Sequence, residues 1–106
     1  MDVFDIFIAY VAWGSSGKLR PVLVIERQDT FLSVFNITTR YEGKSTAILS
    51  KYFKINDWQQ VGLHQESYID TNSTATLPHS AIENRLGTLT EYDAQQLIKF
   101  LTNIGT

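Results

Sequence analysis

One segment constrains this chain more than any other: Gly17-Lys18-Leu19-Arg20-Pro21-Val22-Leu23-Val24-Ile25. It joins a glycine- and serine-rich loop to an apolar run rich in β-branched residues. Pro21 forces the preceding residue, Arg20, out of the α region and into an extended conformation. Because Pro21 has no N–H to donate to a neighbouring strand, it suits the first residue of a strand. The segment therefore predicts a loop, then a strand over residues 21–27, with Arg20 held where they meet.

A permanent cation at such a junction is well suited to bind a phosphate or a carboxylate. The alternative is an ordinary surface arginine at the start of a strand. The charge distribution favours an anionic partner. Residues 18–54 carry seven basic and three acidic side chains, a net charge of +4, whereas residues 55–106 carry two basic and six acidic ones, a net charge of −4. A basic middle segment indicates a polyanion, and the acidic remainder favours solubility.

Length and composition limit the remaining possibilities. The 106 residues, 43% of them hydrophobic, predict a single globular domain over residues 1–106. The absence of cysteine excludes disulfides and thiolate metal sites, and the two histidines have no metal-binding spacing. We therefore expect no metal and no cofactor. Asp2 and Asp5 interrupt the apolar N-terminus, and no run approaches the roughly 20 apolar residues that span a bilayer. We expect a cytoplasmic protein with no membrane association.

Patterning predicts mostly β-structure. Apolar, β-branched and aromatic runs indicate strands over residues 3–12, 21–27 and 31–39, and their short connections indicate an antiparallel meander. Further strands are predicted within 46–55 and over 67–71, with a turn at 72–74. Asn56 as N-cap, Gln59 and Gly62 predict a short helix over 57–61, and 79–84 is expected to hold a helical turn.

The C-terminal helix is predicted over residues 91–103. Thr90 and Asp93 form a capping box, the apolar residues that follow lie on one helical face, and Gly105 is expected to end the helix. Five or six short strands with one small helix and this closing helix predict a small, strongly bent antiparallel barrel.

No Walker loop, HExxH, G-x-S-x-G or G-x-G-x-x-G motif is present. One constellation remains. In an antiparallel meander the start of the second strand lies near the end of the third, so Arg20 and the hydroxyl of Thr38 or Thr39 are expected to meet at one mouth of the barrel. A fixed cation beside a hydroxyl donor is the minimum needed to bind and polarise a phosphodiester. The alternative is that both threonines are simply good strand residues.

The ordered set of Arg-Pro-Val-Leu-Val-Ile, Ile-Thr-Thr-Arg, Asp57-Trp58, Gly62-Leu63 with Ser67, and Leu-Gly-Thr-Leu-Thr before the last helix resembles the PemK/MazF toxins of type II toxin–antitoxin systems. The resemblance runs from about residue 4 to residue 101. It implies an SH3-like barrel of the CcdB/MazF type with a C-terminal helix, and a homodimer. It also implies metal-independent cleavage of single-stranded RNA, and a cognate antitoxin whose disordered tail covers the active groove.

Carried over by position, the resemblance assigns phosphate stabilisation to Arg20 and a partnering role to Thr38. Many members have an acid in the loop before Arg-Pro and another at the position of Asn72, and this chain has neither. The general base therefore stays open between Asp70, the first choice, and the two histidines, His64 and His79. The candidate RNA-binding residues are Ser16, Lys18, Thr39, Arg40, Lys44, Ser67, Asn72 and His79.

The leading hypothesis is thus an endoribonuclease toxin that inhibits growth by cutting mRNA. The alternative is a non-catalytic binder on the same fold, either a topoisomerase-inhibiting toxin or an SH3-like protein-interaction module, because the fold alone does not decide between them.

Overall fold

The computed structural model describes residues 2–104, apart from the side chain of Trp13. Six strands form one antiparallel sheet in the order β4-β5-β3-β2-β1-β6. The strands are β1 (Asp5–Trp13), β2 (Ser16–Arg27), β3 (Phe31–Thr38), β4 (Tyr52–Lys54), β5 (Tyr68–Pro78) and β6 (Ile82–Thr88). Helix α1 spans Thr46–Leu49, a 3₁₀ turn spans His79–Ala81, and helix α2 spans Glu91–Ile104. Gly105, the predicted end of the last helix, lies outside the described residues.

The prediction of a mostly antiparallel β-fold with a C-terminal helix is confirmed. The barrel is incomplete, because β4 and β6 stand at opposite ends of the strand order and do not pair within residues 2–104. Bulges interrupt the ladders between β1 and β6, β2 and β3, and β3 and β5, which gives the sheet its local bends. No helix in the described part of the chain combines the length and apolarity needed to cross a bilayer.

The sheet buries apolar side chains on both faces because successive residues of a strand point to opposite sides. On β2, Leu23 belongs to a cluster that includes Leu97 of α2, whereas Val22 and Val24 belong to a second cluster on the other face. All four of these side chains are fully buried. The face opposite α2 also carries polar side chains, which lie beyond Val22 on β2 and on the neighbouring strands.

The first hairpin differs from its prediction. Trp13 pairs with Ser16, so only Gly14 and Ser15 form the turn and the expected loop is already strand. Arg20 is therefore an internal residue of β2, and the prediction that it lies at a loop–strand junction is wrong. Pro21 is tolerated inside the strand because β2 pairs with β3 only from Val22 onwards.

The strand predicted within residues 46–55 is confirmed as β4 (Tyr52–Lys54), whereas two other predictions in the middle of the chain are wrong. Helix α1, which the sequence pattern did not predict, precedes β4, and the Ser45 hydroxyl caps it by accepting from the Ile48 N–H at 3.2 Å. Residues 57–61 form successive turns and not a helix. Asn72-Ser73-Thr74 lies within β5. Across the β3–β5 ladder, residues 70 to 75 of β5 oppose only residues 34 to 36 of β3, so β5 contains extra, unpaired residues at this point. The expected turn is a bulge in a continuing strand.

Asp93 explains why the predicted helix over 57–61 does not form. This carboxylate is fully buried and accepts from the backbone N–H of Asn56 at 3.1 Å, the Asn56 side-chain amide at 2.9 Å and the backbone N–H of Asp57 at 2.8 Å. Asn56 is thereby engaged by α2 and does not cap a helix of its own. Gly62, expected to end that helix, instead has a φ of +85° where the loop turns against Leu86 of β6.

Candidate active site

Strand register brings together the residues expected to do chemistry. Val22 pairs with Asn36, and Asn36 pairs with Asp70, so these side chains share the face opposite α2. Extending the β2–β3 register by two residues sets Arg20 opposite Thr38. The sequence predicted that Arg20 and Thr38 lie close together. Strand β5, which pairs with β3, adds Asp70 to them.

These residues line one cleft with a volume of about 410 Å³. Its basic side chains outnumber the acidic ones, with four cations against the single carboxylate of Asp70. Its lining is Lys18, Leu19, Arg20, Pro21, Asn36, Ile37, Thr38, Thr39, Arg40, Lys44, Tyr52, Ser67 and Asp70. A concave surface with a net charge of +3 attracts an anionic ligand and concentrates its field on the floor of the cleft.

Two local contacts orient polar groups in the cleft. The Thr38 hydroxyl accepts from the backbone N–H of Arg40 at 3.1 Å, which leaves its own proton for donation to a ligand. The buried hydroxyl of Ser67 donates to the carbonyl of Gln65 at 2.9 Å, which fixes the chain just before β5. Thr38 is therefore available as a hydrogen-bond donor, whereas Ser67 has a structural partner.

Asp70 is the one carboxylate in the lining of the cleft. Its Oδ1 atom accepts from the backbone N–H and from the side-chain amide of Asn72, both at 2.9 Å, and the same amide donates to the carbonyl of Ile48 at 3.1 Å. These contacts fix the carboxylate by one oxygen. Asn72 does not line the cleft itself, and its role in the structure is to hold Asp70.

The structure separates three other candidates from the cleft. Ser16 lies at the β1–β2 turn. His79 lies beyond the opposite end of β5, where its Nε2 is 3.0 Å from the carbonyl oxygen of Gln28. Phe31, paired with the residue before His79, is seven positions from Thr38, roughly 23 Å along an extended strand. His64 lines a neighbouring hollow of about 390 Å³, which also includes residues 21, 39 and 67.

Two lining residues, Asn36 and Tyr52, were missed in the sequence. The Oδ1 atom of Asn36 is buried and has no hydrogen-bond partner among residues 2–104. A buried acceptor without a donor costs about 1–3 kcal/mol, so this atom favours a ligand that brings a donor into the cleft. The available signal was the interruption of an apolar strand by an asparagine. Tyr52 had no such signal, because the strand predicted within 46–55 carried no indication of the pairing that sets Tyr52 opposite Asp70.

One ionisable group near the sheet edge has a displaced pKa. Burial raises the pKa of Asp5, but the Thr88 hydroxyl, the backbone N–H of Asp2 and the Arg85 guanidinium together lower it below its ordinary value of 3.8. The Thr88 hydroxyl donates to the Asp5 Oδ1 atom at 2.6 Å, and an Arg85 nitrogen lies 3.6 Å from the same oxygen. This cluster joins β1 to β6 and lies outside the cleft lining. Within residues 2–104, no three histidine or acidic side chains are arranged to hold a metal ion.

The fold is an antiparallel sheet with a C-terminal helix, and a cationic cleft whose charge suits an anionic ligand lies across β2, β3 and β5. Residues 2–104 match the family model described as the PemK-like, MazF-like toxin of type II toxin–antitoxin system, and the chain belongs to this family.

Solved structures agree with this assignment. The structure of the Mycobacterium tuberculosis toxin MazF-mt6 matches with a TM-score of 0.72 and 25% sequence identity, covering 93% of each chain. A second, described as the crystal structure of an Mtb toxin, matches in fold with a TM-score of 0.67 and 24% identity over 93% of this chain and 97% of that one. Among curated proteins, none matches the sequence significantly.

Proposed function

We propose that this chain is the toxin of a type II toxin–antitoxin system and acts as a metal-independent endoribonuclease on single-stranded mRNA. The observation that carries the proposal is the cleft in which Arg20, Thr38 and Asp70 meet, in a chain of a toxin family. The lining supplies a fixed cation, a hydroxyl donor and a carboxylate. These are the groups that cleavage by the substrate's own 2′-hydroxyl requires.

In the proposed reaction Asp70 accepts the proton of the ribose 2′-hydroxyl, and that oxygen forms a bond to the adjacent phosphorus. Arg20 stabilises the charge on the non-bridging oxygens, and Thr38 donates a hydrogen bond to one of them. The bond from phosphorus to the 5′-oxygen then breaks, and that oxygen takes a proton from water in the open cleft. The products are a 2′,3′-cyclic phosphate and a 5′-hydroxyl.

Asn36 gives this cleft a reason to prefer RNA. Its buried Oδ1 atom lacks a donor among the described residues, and the 2′-hydroxyl of a neighbouring ribose, distinct from the one that Asp70 deprotonates, is a donor that DNA does not have. The three further cations, Lys18, Arg40 and Lys44, would contact neighbouring phosphates. We also propose that the chain is cytoplasmic and forms a homodimer. We further propose that a cognate antitoxin with an acidic segment competes with RNA for the cleft.

The decisive experiment is cleavage of a long RNA by the purified chain, with and without EDTA. Cutting should continue in EDTA and leave cyclic phosphate ends. Arg20→Ala should lower the rate by about 10²–10³-fold, because it removes one preorganised charge-stabilising group. Arg27→Ala is the matched control, since this exposed arginine lies on the same strand outside the cleft lining, and it should cut at the wild-type rate.

Three results would overturn parts of the proposal. An Arg20→Ala variant that cuts at the wild-type rate would remove the cleft from the mechanism. Cleavage abolished by EDTA would exclude the metal-independent route. RNA binding without any cutting would favour a non-catalytic binder on the same fold.

A further inference from the structure

Three tyrosines from separate parts of the chain meet beside the cleft. The ring centroids of Tyr41 and Tyr68 are 4.7 Å apart with an interplanar angle of 33°. Tyr52 lies 6.4 Å from Tyr68 and 6.5 Å from Tyr41. These distances are those of interacting aromatic pairs. The three rings therefore form one aromatic cluster, in which Tyr41 remains 42% exposed.

The tyrosine cluster adjoins the proposed reaction centre. Tyr68 pairs directly with Thr38 across the β3–β5 ladder, and Tyr52 pairs with Asp70 across β4–β5. Tyr52 lines the cleft, whereas Tyr41 and Tyr68 line a second hollow of about 610 Å³. Arg40 and Lys44 belong to the lining of both cavities, so the two adjoin.

The charges of the two cavities differ. The cleft has four cations and one carboxylate, whereas the hollow balances Arg40 and Lys44 with Glu42 and Glu66. A phosphate is attracted to the cleft and gains no net charge attraction in the hollow. A nucleobase is uncharged and has an apolar face, which suits a neutral cavity walled by aromatic rings.

We propose that the hollow is a base-binding subsite, in which one unpaired base next to the scissile phosphate stacks on the exposed face of Tyr41. This inference rests on the proposed function, since it needs a single-stranded nucleic acid backbone in the cleft. Tyr68 and Tyr52 support Tyr41 from the sheet. The subsite holds one base and thereby sets which phosphodiester lies beside Arg20 and Thr38.

A purely structural role would be to fasten the loop that contains Tyr41 to the sheet. The two roles make different predictions for a probe lacking one base. The test uses an uncleavable 2′-methoxy RNA that wild-type chain binds, prepared as a series in which each position in turn is abasic. The dissociation constant of each probe is measured for wild type, Tyr41→Ala, Tyr41→Phe and Tyr92→Ala. Tyr92 is an exposed tyrosine of α2 outside both cavities and serves as the control.

For wild type, removal of the base at one position should weaken binding by about 5- to 150-fold, the usual effect of one base–aromatic stack. Tyr41→Ala should bind the intact RNA more weakly by the same factor. In this variant, removal of the base at that one position should no longer weaken binding, whereas the effects at all other positions should be unchanged. Tyr41→Phe keeps the aromatic face, so removal of that base should weaken its binding as it does for wild type. The same is expected of Tyr92→Ala. Thermal unfolding of each variant verifies the fold.

An abasic profile that is the same in Tyr41→Ala as in wild type would overturn the stacking inference while leaving RNA cleavage intact. A uniform loss at all positions in Tyr41→Ala would also overturn it and would favour the loop-fastening role. If wild type neither binds nor cuts RNA, the proposed function fails and the subsite fails with it. The two failures are thus distinguishable.

Discussion

Replacing Asp93 with alanine should destabilise the protein strongly, although this residue is far from the cleft in sequence. Its buried carboxylate accepts three hydrogen bonds that fasten the chain at Asn56 and Asp57 to the start of α2. The Thr90 hydroxyl adds a fourth link by donating to the Asp57 carboxylate at 2.6 Å. Removal of the carboxylate leaves two backbone N–H groups without their acceptor.

The expected cost follows from the surroundings of those two groups. An unsatisfied buried donor costs about 1–3 kcal/mol, and the exposed position of Asn56 lets water replace part of what is lost. We expect a decrease of about 3 kcal/mol in the free energy of unfolding. With about 2.1 cal/mol/K of unfolding entropy per residue, a chain of 106 residues should lose roughly 13 °C in melting temperature.

Thermal unfolding followed by circular dichroism, with urea unfolding alongside, measures the effect. Glu91→Ala is the matched control, because Glu91 is an exposed acid in the same first turn whose carboxylate accepts from the Gln95 side-chain amide at 3.4 Å. Loss of its charge near the helix N-terminus should cost about 0.3–1 kcal/mol. Asp93→Asn keeps the side-chain volume but retains only one acceptor oxygen. Its melting temperature should therefore lie between those of Asp93→Ala and Glu91→Ala. If Asp93→Ala melts within a few degrees of Glu91→Ala, the fastening role is wrong.

Four further results are expected. Thr38→Ala should slow RNA cleavage less than Arg20→Ala does, and a variant that cuts at the wild-type rate would put the phosphate elsewhere. Binding of an uncleavable RNA should weaken by about 20- to 50-fold between 50 and 200 mM salt if three or four phosphates are neutralised, so a flat response would exclude a phosphate-binding cleft. Because the pKa of Asp5 is lowered on folding, its contribution to stability is present above its ordinary pKa of 3.8 and is lost as pH falls through the lower folded value; urea unfolding against pH should show Asp5→Asn losing this acid-side dependence. Sedimentation at micromolar concentration should give twice the chain mass, since small sheets leave strand edges and apolar residues such as Tyr10 and Leu19 exposed; monomer alone would contradict the homodimer.

The elements that the sequence predicted are those whose signal lies within the element. The apolar spacing around Leu97 and the capping box at Thr90 define α2, and the three alternating or apolar runs with short connections define the β1–β2–β3 meander. The meeting of Arg20 and Thr38 follows from that meander alone, because antiparallel neighbours joined by a short turn have a fixed register. These parts of the fold and site needed no tertiary information.

Only the tertiary structure decided the rest. Asn56 has the residue pattern of a helix cap, but Asp93, 37 positions away, takes its N–H groups, and a charged acceptor outcompetes a marginal helix of five residues. The tyrosine cluster likewise combines a loop residue with residues of β4 and β5, and no local pattern relates Tyr41 to Tyr52 and Tyr68. Periodicity reports which face of an element is buried, whereas the partner on that face depends on strand order, and strand order is a property of the whole sheet.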